Sequence, residues 1–191
     1  MKLLKNQSSF PFLALIASLT LAFSSVAEAA HVFSGVDLRN GTESSLVRED
    51  KAHKATVLVF LSSKCPCSMS HLEELKNLAK ENQDIRFIGV NSNADETAED
   101  SKKYFAAQDI PFPVLKDEKS VLADEFKAVK TPHAYILDAD GKKLYQGGVS
   151  NSAMFPRADR PYLREAIGDI KAGREVKTPL ARALGCTILR K

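Results

Sequence analysis

The sequence predicts an α/β fold, a mixed central sheet with helices on both faces. Three observations predict it. Residues 55–61 (Ala-Thr-Val-Leu-Val-Phe-Leu) form an unbroken apolar, β-branched run, as a central strand covered on both faces requires. A short polar turn, Ser62-Ser63-Lys64, then leads into Cys65-Pro66-Cys67 and a stretch whose Leu72, Leu75 and Ala79 share one helical face. The remaining patterns run strand, helix, helix, β-hairpin and final helix, which is the order of a sheet covered by crossover connections.

Taken in order, the first 29 residues are set apart from this domain. Lys2 and Lys5 give a basic start, residues 10–23 are mostly apolar, and Ala27-Glu28-Ala29 offers a small-x-small cleavage site. That is the layout of a secretory signal peptide, and the apolar run is shorter than the roughly 20 residues a membrane span needs. The expected location is periplasmic or secreted, with no stable span once the signal is cleaved. The expected division is residues 1–29 signal, 30–175 folded domain and 176–191 a C-terminal tail. A formal net charge of +3, spread evenly along the chain, argues against a nucleic-acid partner.

Residues 31–46 read as a leading hairpin around Asn40-Gly41, with Val36 and Leu38 before the turn and Leu46 after it. Residues 47–54 are charged and read as a surface connection. After the thiol-bearing helix, residues 85–90 (Ile-Arg-Phe-Ile-Gly-Val) supply a second apolar strand and complete a βαβ unit. Residues 91–97 form a polar loop. Residues 98–108 form a helix with Glu99 and Asp100 in its first turn and Tyr104, Phe105 and Ala107 toward the core. Pro111 and Pro113 bracket a short edge strand or extended connection over 112–115, and 121–126 is a short helix. Residues 134–137 and 143–145 pair as a hairpin around Asp138-Ala139-Asp140-Gly141, a turn that lacks the later acidic ligand of a calcium loop. Pro161 opens a last helix with Leu163, Ala166, Ile167 and Ile170 on one face, ended by Gly173.

Cys65 is the residue around which the chemistry gathers. At the N-cap of a helix it meets free N–H groups and the positive end of the helix dipole, both of which favour a thiolate. Lys64 adds a neighbouring positive charge, and Pro66 fits the first helical position, where its missing N–H costs nothing. The alternative use of such a pair is structural, as an isolated disulfide. Cys186 is the third cysteine. Three cysteines cannot all pair within one chain, so one is free, shared with a partner or bound to something else.

The strings 57–66 (Val-Leu-Val-Phe-Leu-Ser-Ser-Lys-Cys-Pro), 110–117 (Ile-Pro-Phe-Pro-Val-Leu-Lys-Asp) and 131–138 (Thr-Pro-His-Ala-Tyr-Ile-Leu-Asp) occur in that order, followed by Tyr162-Leu163 and Gly185-Cys186. Together they resemble an exported, thioredoxin-fold redoxin related to the AhpC/TSA and TlpA-like families. The resemblance implies a thioredoxin-like fold and a thiol-disulfide oxidoreductase with Cys65 and Cys67 as catalytic residues. Lys64, Pro66, Thr131 and Pro132 would shape the site. It implies a cis bond at Thr131-Pro132 facing Cys65, with the Thr131 backbone pairing an extended substrate segment. Its partners would be protein thiols or disulfides and an upstream redox partner, without a cofactor. Two departures stand out. Pro66 alone separates the cysteines where the pattern has two residues, and Lys64 replaces the usual aromatic. A Cys65–Cys67 disulfide would be strained and oxidising, which leaves Cys186 as a second candidate to resolve Cys65.

Two other functions compete. A thiol peroxidase would use Cys65 as a peroxidatic thiol with Ser62 three residues before it, although Leu58 stands where that pattern has proline. A metal carrier would hold Cu(I) on Cys65 and Cys67 with help from His71 or His133. No glycine-rich phosphate loop, zinc-ligand spacing or Ser/His/Asp set is present.

Overall fold

The computed structural model describes residues 32–190. The expected signal peptide lies outside them. The chain runs β1 (Val32–Val36), β2 (Glu43–Val47), β3 (Ala55–Phe60), α1 (Pro66–Glu81), β4 (Ile85–Asn91), α2 (Ala98–Ala106), β5 (Val114–Lys116), α3 (Val121–Glu125), β6 (Lys130–Thr131), β7 (His133–Asp138), β8 (Lys143–Gly147), α4 (Tyr162–Lys171) and β9 (Cys186–Thr187).

The central sheet has the order β5-β4-β3-β7-β8. β3 is parallel to β4 and antiparallel to β7, so the sheet is mixed, as the alternation of patterns predicts. All six residues of β3 are buried, which is why its sequence is apolar throughout rather than alternating. Its side chains still divide by face. Val57, Val59 and Leu61 belong to one core with Leu72, Leu75 and Leu78 of α1, Phe105 of α2, and Leu163, Ala166 and Ile167 of α4. Leu58 and Phe60 belong to the other, with Leu122 and Ala123 of α3, Leu46 and Ile188.

α2 is shorter than its charge pattern predicts. It ends at Ala106, and Ala107 is exposed rather than turned to the core. The 112–115 segment becomes β5, an edge strand beginning after Pro113, whose missing N–H would otherwise interrupt the ladder. Neither sheet edge is left open. Leu38 donates its N–H to the Val114 carbonyl at 2.8 Å, which lays the leading hairpin on β5. On the far edge Gln146 of β8 exchanges backbone hydrogen bonds with Pro179 and Ala181. Such covering removes an edge that would otherwise recruit another chain. The tail thus lies along the sheet before it returns to the thiol helix.

Candidate active site

The site is built where β3 ends. The turn 62–64 is held from below by Glu96, which is 3% exposed and accepts from the Ser63 N–H at 2.8 Å, from both the Ser62 and Ser63 hydroxyls, and from Asn91 and Asn93. Burial raises the Glu96 carboxyl, but these donors outweigh it and hold the group below its usual range. Lys116, also buried, donates to the Asn91 side chain at 2.8 Å and to the Glu96 carbonyl at 2.9 Å. Sequence reading treats 91–97 as a plain polar loop. The signal that it is more is Glu96 itself, an acidic residue between Asn91, Asn93 and the serines that close around it.

This platform delivers Cys65 to the N-cap of α1 with extended backbone (φ −90°, ψ 113°) and Pro66 in the first turn. Cys65 is 1% exposed, and its thiol donates to the Thr131 carbonyl at 3.1 Å. The Thr131-Pro132 bond is cis, as the resemblance implies. Lys64 is turned away. Its ammonium donates to the Asp95 carbonyl and stands 3.9 Å from the Asp95 carboxylate, so its charge is spent on the loop.

The edge beside Pro132 is already filled. β6 pairs antiparallel with β9 of the same chain, with Thr131 opposite Cys186. The backbone expected to take a substrate segment therefore holds the protein's own tail. Gly185 permits this approach, because a Cβ there would lie 2.0 Å from the Thr131 carbonyl oxygen. The strand is anchored by Ile188, which is buried in the second core, by the Ile188 N–H to the Val129 carbonyl at 3.1 Å, and by the Leu189 N–H to the Asn93 side chain at 2.9 Å.

In consequence the sulfurs of Cys65, Cys67 and Cys186 all lie within 4.8 Å of one another. All three cysteines are free thiols. Their environments differ. Burial pushes the Cys65 thiol up, yet the Cys186 thiol, the Thr131 side chain and the Ser68 and Cys186 backbone N–H groups together bring it down to about 7. Burial and the developing charge on Cys65 push Cys67 up, and burial with the same neighbours pushes Cys186 up to about 12. At pH 7 Cys65 is thus about half thiolate, while Cys67 and Cys186 keep their protons. With the thiol proton on the Thr131 carbonyl, the buried Thr131 hydroxyl has no partner. A thiolate would supply one.

Neither histidine considered as a copper ligand reaches the sulfurs, and this corrects the Cys-and-His metal expectation. His71 Nδ1 lies 2.8 Å from the Cys67 carbonyl, which only accepts, so that nitrogen carries the proton. Nε2 lies 2.8 Å from the Ser150 hydroxyl, which occupies the other nitrogen. Burial lowers the His71 pKa, consistent with a neutral ring. His133 is buried beside Tyr135, with its pKa pushed down to about 4 by burial and then by the charge of Lys143. Ser62, the residue a peroxidase would need at the thiol, donates to Glu96 and accepts from the Lys64 N–H instead.

The family model of the AhpC/TSA family matches residues 26–145. The chain belongs to the AhpC/TSA family. The matched residues carry the β3–α1 turn and the cis-proline, whereas α4 and the Cys186 strand lie beyond them. The thioredoxin-like protein YneN of Bacillus subtilis (strain 168) is 29% identical over 124 residues, 63% of this chain and 71% of that protein. The crystal structure of an uncharacterised conserved protein from Geobacillus kaustophilus is similar at a TM-score of 0.73 and 29% identity, over 85% of this chain and 90% of that one. A secreted disulfide oxidoreductase of Mycobacterium tuberculosis shares the fold at a TM-score of 0.50 and 22% identity, over 58% of this chain and 79% of that one. The chain is a thioredoxin-like redoxin, and among the described residues no helix is long and apolar enough to cross a membrane.

Proposed function

We propose that this redoxin is an exported thiol-disulfide oxidoreductase in which Cys65 attacks and Cys186 or Cys67 resolves. The observation that carries the reading is the single low-pKa thiol, Cys65 at about 7, with two protonated thiols within 4.8 Å of it. A thiolate with a pKa near ambient pH is the best placed attacker, and exchange proceeds through a mixed disulfide. Cys65 attacks one sulfur of a substrate disulfide, and the other leaves as a thiolate and takes a proton. A second cysteine, after losing its proton, attacks the Cys65 sulfur and releases the substrate's remaining thiol. Two cysteine thiols have then been oxidised to one disulfide and the substrate disulfide reduced to two thiols.

Cys186 is the favoured resolver because β9 pairs it with Thr131, whose carbonyl accepts from the Cys65 thiol, and because its own thiol is among the groups that lower the Cys65 pKa. A protein substrate with an extended segment would compete with β9 for the Thr131 edge. Export rests on the N-terminal pattern alone. The peroxidase reading loses support from the engagement of Ser62 with Glu96. The experiment is the reaction of the reduced chain with a disulfide-bonded peptide, followed by acid quench. The peptide is expected to be trapped on Cys65 in Cys67→Ser/Cys186→Ser and not at all in Cys65→Ser. Equal trapping in Cys65→Ser would remove Cys65 from the role.

A further inference from the structure

The gathering of three thiols allows a second chemistry that disulfide exchange does not use. We propose that the reduced protein binds one Cu(I) ion on the sulfurs of Cys65, Cys67 and Cys186.

The donor set selects the ion. Three sulfurs, all within 4.8 Å of one another, are the only group of three or more cysteine, histidine or carboxylate ligands close enough to hold a metal among the described residues. A metal–thiolate bond is about 2.3 Å, so three sulfurs around one trigonal ion stand about 4 Å apart. The trio is already at that scale and needs no refolding to close. Structural zinc is almost always four-coordinate, and the fourth ligand is missing. His71 is held at both nitrogens by the Cys67 carbonyl and the Ser150 hydroxyl, and no carboxylate joins the group. Soft thiolates without a fourth hard ligand favour Cu(I).

The trio also comes from two separate, rigid pieces of the fold. Cys65 and Cys67 sit at the start of α1, a helix of 16 residues. Cys186 is fixed by its pairing with Thr131 and by the buried Ile188 two residues on. Ligands held by packed elements lose little freedom on binding, which is the requirement for a preorganised site. The positive end of α1 faces the excess negative charge that three thiolates leave on a monovalent ion. Binding displaces to solvent the protons the thiols still carry, two where Cys65 is already a thiolate and three where it is not, and forms three Cu–S bonds with no change of oxidation state. A disulfide between any two of the sulfurs excludes it.

The test is an anaerobic titration of the reduced full chain with Cu(I), delivered as its acetonitrile complex, against a chromogenic Cu(I) chelator. One Cu(I) per chain is expected to be withheld from the chelator, with a near-ultraviolet sulfur-to-copper band and three sulfur neighbours by X-ray absorption. Even loss of a group supporting a metal ligand costs about 10–100-fold in affinity. Cys67→Ser and Cys186→Ser are therefore each expected to cost at least about 100-fold, while His133→Gln leaves the affinity unchanged. Two sulfur neighbours in the wild type, an unchanged affinity in Cys186→Ser, or no copper withheld from the chelator would each overturn the proposal. These readouts do not depend on disulfide exchange, so their failure leaves the oxidoreductase reading standing. Circular dichroism of each variant separates lost ligation from lost fold.

Discussion

Replacing Cys186 with alanine isolates what the tail thiol does to the nucleophile. In the wild type the Cys65 thiol is brought to about 7 against a burial that pushes it up, and the Cys186 side chain is the first of the groups that lower it. A hydrogen bond to a charged acceptor is worth about 1.5–3 kcal/mol. One pH unit corresponds to about 1.4 kcal/mol, so loss of that donor should raise the Cys65 midpoint by at least about one unit, toward the usual cysteine range. At pH 7 the thiolate fraction would fall from about one half to about one tenth. The assay is the pH dependence of alkylation of the reduced protein by iodoacetamide, with the modified cysteine identified by mass. The midpoint reports the pKa, and the plateau at high pH separately reports access to a thiol that the tail covers. A Cys186→Ala midpoint equal to that of the wild type would refute the assignment of Cys186 as the stabilising donor, whatever happens to the plateau.

Three further outcomes follow from the same contacts. Gly185→Ala places a Cβ 2.0 Å from a backbone oxygen that cannot yield, so β9 should leave the edge, with amide exchange at Cys186 and Thr187 rising at least about 10-fold. Glu96→Gln should cost about 1–3 kcal/mol in urea unfolding, because it turns an acceptor of several buried donors into a group that is half donor. The Glu96 carboxyl is held below its usual 4.5, so its contribution is complete above that pH and is lost as pH falls through the lower folded value; the variant should flatten the acid limb of stability. His133 titrates the other way. Its folded pKa of about 4 against 6.5 means the unfolded chain binds a proton first, so stability falls as pH drops from 6.5 to 4, and His133→Gln should remove about 2–3 kcal/mol of that dependence.

The parts of this fold that were legible in the sequence are those fixed by local pattern. The apolar run of β3, Pro66 after Cys65, and the face shared by Leu163, Ala166 and Ile167 each state their element without help from distant residues. The cis bond at Thr131-Pro132 was legible only through the family resemblance, since proline at a strand start is common on its own. What escaped was set by contacts across the chain. Glu96 stands out beside Asn91, Asn93 and Ser101, but nothing in the sequence announces that Ser62 and Ser63 of the thiol turn will close on the same carboxylate. Cys186 could be suspected from arithmetic, but its register opposite Thr131 depends on Ile188 reaching the second core. The direction of the Lys64 side chain is set by such a contact too. Adjacency to Cys65 in sequence does not prevent the side chain from turning to Asp95.

Quantitative disulfide mapping of the wild-type chain, oxidised by one equivalent of a small disulfide and quenched in acid, bears on the whole reading at once. The geometry predicts a Cys65–Cys186 bond as the major product with Cys67 recovered as a thiol, and a Cys65–Cys67 bond only when Cys186 is replaced by serine. Recovery of Cys186 as a free thiol beside a Cys65–Cys67 disulfide would contradict the role given to the tail, and oxidation that bypasses Cys65 would contradict the site itself.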